Sequence, residues 1–325
     1  MSGPLPFQSS DDLLPSCQDS ESSVIVRASE ITGLGLDRHW PAMLTLGFDS
    51  AKQGDSQRTR MHQMQFKGPL RVQRPFYPED GACHVYLLHP PGGLVSGDDL
   101  AIQVECQPDA HALLTTPSAG KIYHADTDGV VQRQTTAITV TDARCEWLPM
   151  ETIVFDGAHG VLKTAIQLHG NAKFIGMDVV CLGRPASALP FSTGVIEQHL
   201  SLYHNGVPLL LERQRLSGND PLLYAKAGFQ QATVSGTLLA FAGENICDER
   251  AAEFSLEMLV EKLRDALPQR DGDDWFSVTE RLGVIVVRYL GHNSERAQQG
   301  LRQAWQILRP DVIGTAPVIP RVWNT

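Results

Sequence analysis

The residues with the clearest potential for chemistry lie in a glycine-rich turn, residues 89–98, which reads HPPGGLVSGD. Its two prolines restrict the backbone, and Gly92, Gly93 and Gly97 permit positive φ angles or close backbone approach, so the turn fixes the position of Asp98. Three interpretations of this carboxylate are open. It can accept hydrogen bonds from its own turn, the glycine amides can form an anion site, or Asp98 can face an internal passage or a metal.

Three further strings combine polar groups with unusual local sequence. Residues 115–124 read TTPSAGKIYH, residues 146–158 read EWLPMETIVFDGA, and residues 208–213 read PLLLER. The small residues of the first string are typical of close chain packing. In the third string Glu212 ends an apolar run beside Arg213, a pattern typical of a surface ion pair.

Motifs of the common enzyme classes are missing from the sequence: it contains no GxGxxG, Walker, HExxH or GxSxG string. A nucleotide enzyme or a zinc hydrolase is therefore disfavoured. The eleven histidines still leave open a β-rich hydrolase whose acid/base site is assembled from distant segments. His84 and His89 are five residues apart, so on a regular strand they point to opposite faces and cannot share a metal.

Composition indicates a globular chain of 325 residues with a net charge of −10 and 42% hydrophobic residues. The acidic balance argues against a nucleic-acid partner, and the sequence predicts no membrane segment. Six scattered cysteines without a CxxC pair predict free thiols in a reducing compartment, the cytoplasm. Residues 1–38 carry no feature of a secretion signal and are predicted to be a disordered acidic tail.

Residues 39–242 are predicted to form a β-rich domain, because apolar and polar residues alternate in many short segments separated by turn residues. The alternation is clearest in Leu100 to Cys106. Asn205 and Gly206 stand between two such segments and predict a β-hairpin with a type I′ turn.

Residues 243–325 are predicted to form a helix, a strand and a second helix packed on the same domain. The first helix runs from Phe254 to Pro268, and the strand covers Leu282 to Leu290. Asn293 or Ser294 caps the second helix, which Pro310 is predicted to end. The apolar face of this helix is predicted from residues at helical spacing: Ala297, Leu301, Ala304, Trp305 and Leu308. The intervening stretch, Gln269 to Asp274, is predicted to be a loop. The predicted fold is α+β overall, mainly β with two helices.

Several long strings occur here in an order that resembles the family of urease accessory protein UreD, also called UreH. They are QRPFYPE at 73–79, the four strings HPPGGLVSGD, TTPSAGKIYH, EWLPMETIVFDGA and PLLLER given above, LGRPAS at 182–187, and the closing strings RLGVIVVRYLG and PVIPRVWNT. The resemblance extends from about Trp40 to Thr325.

This resemblance implies a non-enzymatic maturation factor with an elongated, helix-like stack of β-strands. Such a protein binds apo-urease and, with UreF and with the GTPase UreG reached through UreF, delivers Ni²⁺ through an internal water-filled tunnel. The resemblance also implies a dimer of heteromeric complexes and no permanent cofactor, nickel being transient. The acidic residues that match the family's nickel path are Asp98 and Glu212.

Elementary coordination chemistry is compatible with that assignment. Nickel stands high in the divalent affinity order, so a cage of imidazoles would retain it, whereas single carboxylates in a hydrated passage attract a cation and release it. The sequence departs from the family at Gly120, where relatives often carry a hydroxyl, and at 185–190, where an expected acidic residue is missing and Leu189 stands near the end of the stretch. A second hypothesis is a pure adaptor that bridges apo-urease and UreF without touching metal.

Overall fold

The computed structural model describes residues 39–53, 56–243 and 256–324. The predicted tail, residues 1–38, and the predicted helix start at Phe254 lie outside the described residues. Within the described residues, the strands are β1 (Trp40–Gln53), β2 (Ser56–Lys67), β3 (Arg71–Val72), β4 (Cys83–Leu88), β5 (Asp98–Cys106), β6 (His111–Thr115), β7 (Gly120–Ile122), β8 (Gln132–Thr141), β9 (Arg144–Leu148), β10 (Thr152–Val154), β11 (His159–His169), β12 (Lys173–Leu182), β13 (Val195–His204), β14 (Val207–Ser217), β15 (Val234–Phe241), β16 (Arg270–Asp271), β17 (Asp274–Arg281) and β18 (Val284–Gly291). The helices are α1 (Leu256–Ala266) and α2 (Ser294–Val312).

Two sheets face each other. The first sheet has the strand order β14-β13-β11-β8-β5-β1-β2, and the second has β16-β17-β18-β15-β12-β9-β6-β4-β3. From β4 to β13 the long strands alternate between the two sheets, and successive strands within each sheet pair in parallel. The chain therefore winds as a coil whose turns stack on one another, which agrees with the predicted mainly β, helix-like stack. Of the described residues, 52% lie in strands and 14% in helical segments.

The coil has two unlike ends. Connections from the first sheet to the second are short, such as residues 142–143, while those from the second sheet back to the first are long. Because neighbouring strands are parallel, the long connections collect at one end, and residues 89–98, 115–124, 146–158 and 182–187 all contribute to it. Functional residues are often carried on such connections over a rigid scaffold.

The core has two layers. Inward side chains of both sheets fill the space between them, as in β5, where Leu100, Ile102 and Val104 are buried and the residues between them are more exposed. The outer face of the second sheet is covered by α1 and α2. The predicted apolar face of the second helix is confirmed, because its members are fully buried: Ala297, Leu301, Ala304, Trp305 and Leu308.

The predicted hairpin at Asn205 and Gly206 is confirmed, since both residues have positive φ angles, 49° and 79°, and join antiparallel β13 and β14. Two predictions are corrected. The stretch Gln269 to Asp274 is a tight hairpin between β16 and β17, so the C-terminal order is helix, three antiparallel strands, helix. The second helix continues past Pro310 to Val312, because its apolar face holds it against the sheet.

Candidate functional site

Two adjoining cavities lie between the sheets. The first has a volume of about 380 Å³ and reaches from the glycine-rich turn, at His89 and Gly92, into the space between the sheets. The second has a volume of about 870 Å³ and lies along β14. Their linings have five residues in common, so the cavities meet at one place: Leu162, Thr164, Asp178, Leu200 and Thr237. Each cavity exceeds the ~30 Å³ of a water molecule many times over.

Strand register explains why this meeting place is polar. Asp178, Thr237 and Arg288 are directly opposite one another on β12, β15 and β18, and all three point between the sheets; we call them the polar row. On the first sheet, Glu212 of β14 is opposite Leu200 of β13, at the same level of the sandwich. Inward positions of a two-sheet sandwich are normally apolar. The layer that contains the polar row and Glu212 is therefore more polar than the core on either side of it.

Asp178 is the carboxylate at the meeting place. Gln198 Nε2 on the first sheet donates a hydrogen bond to Asp178 Oδ2 at 3.3 Å. Burial raises the pKa of Asp178, and the hydrogen bonds from Gln198 and the Val179 backbone oppose that rise. The side chain keeps some accessible surface because it faces the cavities while protein surrounds it. A cation near this carboxylate would favour its ionised form.

Glu212 lines the second cavity, where it forms an ion pair with Arg288 of the polar row. The Arg288 Nη1 atom also donates a hydrogen bond to Thr237 Oγ1 at 3.1 Å. The expected surface pair with Arg213 is wrong. Neighbouring residues on a strand point to opposite faces, so Arg213 lies on the outer face and contacts Glu197 at 3.5 Å.

Asp98 does not line either cavity. Its Oδ2 atom accepts a hydrogen bond from the Val95 amide at 2.8 Å, so the carboxylate stabilises its own turn. His89 of the same turn lines the first cavity, and burial lowers its pKa while the nearby Asp98 carboxylate opposes that effect. The imidazole is thus disposed to be neutral, the form that binds metals. The structure places Asp98 close to His89 but outside both cavity linings, and Glu212 in the lining of the second cavity.

The three turn glycines meet different steric demands. Gly92 and Gly97 have φ angles of 82° and 90°, in the region that side chains disfavour. At Gly93 a Cβ atom would lie 2.6 Å from the Tyr123 ring and 2.7 Å from Lys121 Cβ. The turn therefore packs directly against residues 121–123, which it also contacts through backbone hydrogen bonds of Leu94.

The closest buried histidine–carboxylate pairs lie outside both cavities. His111 Nε2 is 2.7 Å from Glu146 Oε1, and His84 Nε2 is 2.6 Å from Glu79 Oε1. Arg309 of α2 donates to both carboxylates, including 2.9 Å to Glu146 Oε2 and 2.6 Å to Glu79 Oε1. These pairs sit beneath α2 and lack the open pocket that a hydrolase needs for its substrate.

Glu146 is held ionised in this buried ion cluster, which comprises Glu79, His84, His111, Glu146 and Arg309. Burial alone would raise the pKa of Glu146, but the hydrogen bonds and charges of His111 and Arg309 lower it to about 2. Trp305 Nε1 donates a further hydrogen bond at 2.6 Å. The cluster joins two of the strings quoted above, at 73–79 and 146–158, to the second helix.

In the described part of the chain, no three His, Cys, Asp or Glu side chains converge to hold a metal ion. Neither described helix has the length and apolar character needed to cross a membrane. The four described cysteines are free and buried: Cys83, Cys106, Cys145 and Cys181.

Comparison with known proteins decides the family. The sequence model described as "UreD urease accessory protein" matches residues 41–324. The chain belongs to the UreD family. One relative, the urease accessory protein UreD of Pseudoalteromonas translucida, is 47% identical over 311 residues, which cover 94% of this chain and 99% of the relative. Urease accessory protein UreD 1 of Psychrobacter cryohalolentis is 46% identical over 291 residues, 89% of this chain and 92% of the relative. The UreD of Chromohalobacter salexigens is 45% identical over 298 residues, with coverage of 89% and 90%.

The predicted resemblance to UreD is thus confirmed, and the relatives are named accessory proteins. Sequence reasoning missed three residues of the cavities in this UreD-family chain: His89, Asp178 and Arg288. For the last two a signal was available. Asp178 and Arg288 occupy inward-facing positions of their strands, and the other inward-facing residues of those strands, such as Phe174 and Val286, are apolar. A charged residue within such an apolar series is the signal.

Proposed function

We propose that this UreD-family chain is a urease maturation factor that conducts Ni²⁺ between its two sheets. In this proposal it acts in the cytoplasm, binds apo-urease and UreF, and receives nickel through the UreF-bound GTPase UreG. The relatives are named urease accessory proteins, which supports the urease assignment. The chain itself carries out no bond-breaking chemistry in this scheme.

The observation that carries the proposal is the polar meeting place of the two cavities. Asp178 and Thr237 line both cavities, and Glu212 lines the second. An ion entering near His89 would pass Asp178 between the sheets and then reach Glu212 in the open second cavity. Buried carboxylates that face hydrated space keep part of their solvation and lower the electrostatic free energy of a passing cation.

Asp98 has a different position in this path from Glu212. It lies next to His89 at the first cavity, so it can attract cations to the turn and favour a position near the imidazole. We propose it as an electrostatic contributor at that end, with Gly92, Gly93 and Gly97 fixing the turn that holds it.

The test compares nickel loading of urease by the complete set of accessory proteins when the UreD-family chain carries D98A, E212A or D178N. We expect each variant to retain complex formation and to slow nickel loading by about tenfold or more. The matched control is E105Q, which removes a charge from the exposed outer face of β5. Normal loading by all three variants in intact complexes would overturn conduction and leave the adaptor function.

A separate measurement addresses the UreF contact, which we place on exposed apolar residues of the C-terminal third. Met258 on α1 is 53% exposed. Removing everything after Gly243 would delete β17, β18 and α2, whose apolar residues fill the core, so the full chain is required. We expect M258D to weaken co-purification with UreF, and unchanged recovery would exclude Met258 from that contact.

A further inference from the structure

We infer that Arg288 is an electrostatic gate between the two cavities and that its ion pair with Glu212 is the closed state. The inference rests on the proposed function, because a gate requires an ion that passes. It assigns to Arg288 a role that neither Asp98 nor Glu212 fills. Arg288 would control when the second carboxylate can accept a cation.

The position of Arg288 is set by strand register. Arg288 is opposite Thr237, which is opposite Asp178, so the backbones of Arg288 and Asp178 lie two strands apart, about 10 Å at the usual strand spacing. Thr237 lines both cavities and accepts a hydrogen bond from Arg288 Nη1 at 3.1 Å. A cation that leaves Asp178 for Glu212 therefore approaches the positive charge of Arg288.

The ion pair also removes the attraction that Glu212 would exert. With Arg288 Nη2 bound to Glu212 Oε1, the pair carries no net charge, and a dication gains little by approaching it. The closed state thus leaves Asp178 as the negative charge at the meeting place of the cavities. Glu212 becomes a cation site only when Arg288 moves away.

Both partners have room to separate. Arg288 and Glu212 side chains are 39% and 37% exposed, because the second cavity is open along β14. A flexible arginine at this exposure can exchange the pair for water at small free-energy cost. A bound partner that offers a carboxylate or a carbonyl oxygen at this opening would draw the guanidinium out and free Glu212.

The gate is tested on the purified full chain by calorimetric titration with Ni²⁺ alone. We expect R288Q to bind Ni²⁺ about tenfold or more tightly than the natural chain, and E212Q/R288Q to lose that gain. R288K, which keeps the charge, is expected to bind as the natural chain does. The matched control is R281Q, which removes an exposed arginine from the neighbouring strand β17, outside both cavities.

The outcomes separate the gate from the proposed function. Unchanged affinity in R288Q, or a gain that persists in E212Q/R288Q, overturns the gate. Thermal unfolding of each variant is followed by circular dichroism, and R288M, which keeps the apolar stem, replaces R288Q if the latter does not fold. If E212A slows urease loading while R288Q binds nickel as the natural chain does, conduction stands and the gate fails. If D98A, D178N and E212A all load urease normally in intact complexes, conduction itself fails.

Discussion

The buried ion cluster beneath α2 permits a quantitative prediction for Arg309→Met. Arg309 is fully buried and donates to two carboxylates, and methionine keeps its apolar stem while removing the charge. At an effective dielectric constant of about 20, each pair at about 4 Å contributes roughly 4 kcal/mol of attraction, most of it offset by desolvation. Removing Arg309 takes the guanidinium charge away from two buried carboxylates, which keep only their histidine and tryptophan contacts, so we expect a loss of about 3–5 kcal/mol in the free energy of unfolding.

Urea unfolding followed by circular dichroism measures that loss, and thermal unfolding should show a midpoint lower by roughly 5–8 °C for a domain of this size. The control is Arg60→Met. Arg60 also forms a two-point pair with a carboxylate, Asp49, at 2.8 Å through both nitrogens, but its side chain is 63% exposed. Surface pairs contribute little, so the midpoint should hardly change. Equal effects of the two substitutions would refute the reasoning that burial sets the size of the penalty.

Three further predictions concern protonation, packing and reactivity. The pKa of Glu146 is lowered from its usual 4.5 to about 2 when the chain folds. Its ionised form therefore contributes about 3 kcal/mol to the free energy of unfolding above pH 4.5, and this contribution is lost as the pH falls toward 2. E146Q should flatten the dependence of the free energy of unfolding on pH across that range. Gly93→Ala should lower the free energy of unfolding by about 1–3 kcal/mol, because the added Cβ atom would overlap the Tyr123 ring. Gly120→Ala should leave the free energy of unfolding nearly unchanged, because the nearest atom to its added Cβ would be 3.4 Å away. Equal denaturation midpoints for the two variants would contradict this packing argument. Burial raises the pKa of Cys83 to about 11 and that of Cys181 to about 12, so mass spectrometry after alkylation at pH 8 should find both unmodified in the native chain and modified in guanidinium chloride.

Local patterns predicted much of the secondary structure. The alternation in residues 100–106, the Asn205-Gly206 turn and the buried stripe of α2 each depend on neighbours in sequence, so periodicity and turn chemistry are sufficient to find them. The errors occur where tertiary contacts override a local signal. Pro310 stays inside a helix because the helix is packed along its length, and residues 269–274 form a hairpin because β17 completes the second sheet.

The candidate site was less accessible to sequence reasoning. Glu212 was identified through the family resemblance and lies in the second cavity, but its partner Arg288 is 76 residues away. Asp98 was identified in the same way, and its turn geometry follows from local residues. Whether Asp98 and Glu212 act on nickel stays a prediction. From the sequence, Asp178 could be recognised only as an acidic residue at an inward-facing strand position. That pattern does not show which groups the Asp178 side chain faces.

The sequence by itself determined the family, the strands and the turns, because those follow from residue order, period-two burial and backbone preferences within a few residues. The tertiary structure alone decided which side chains meet. Antiparallel pairing of β12, β15 and β18 brings Asp178, Thr237 and Arg288 into one row across three strands, and Glu212 contacts that row from the other sheet. Such contacts depend on strand register and sheet order over long separations, which no local pattern specifies.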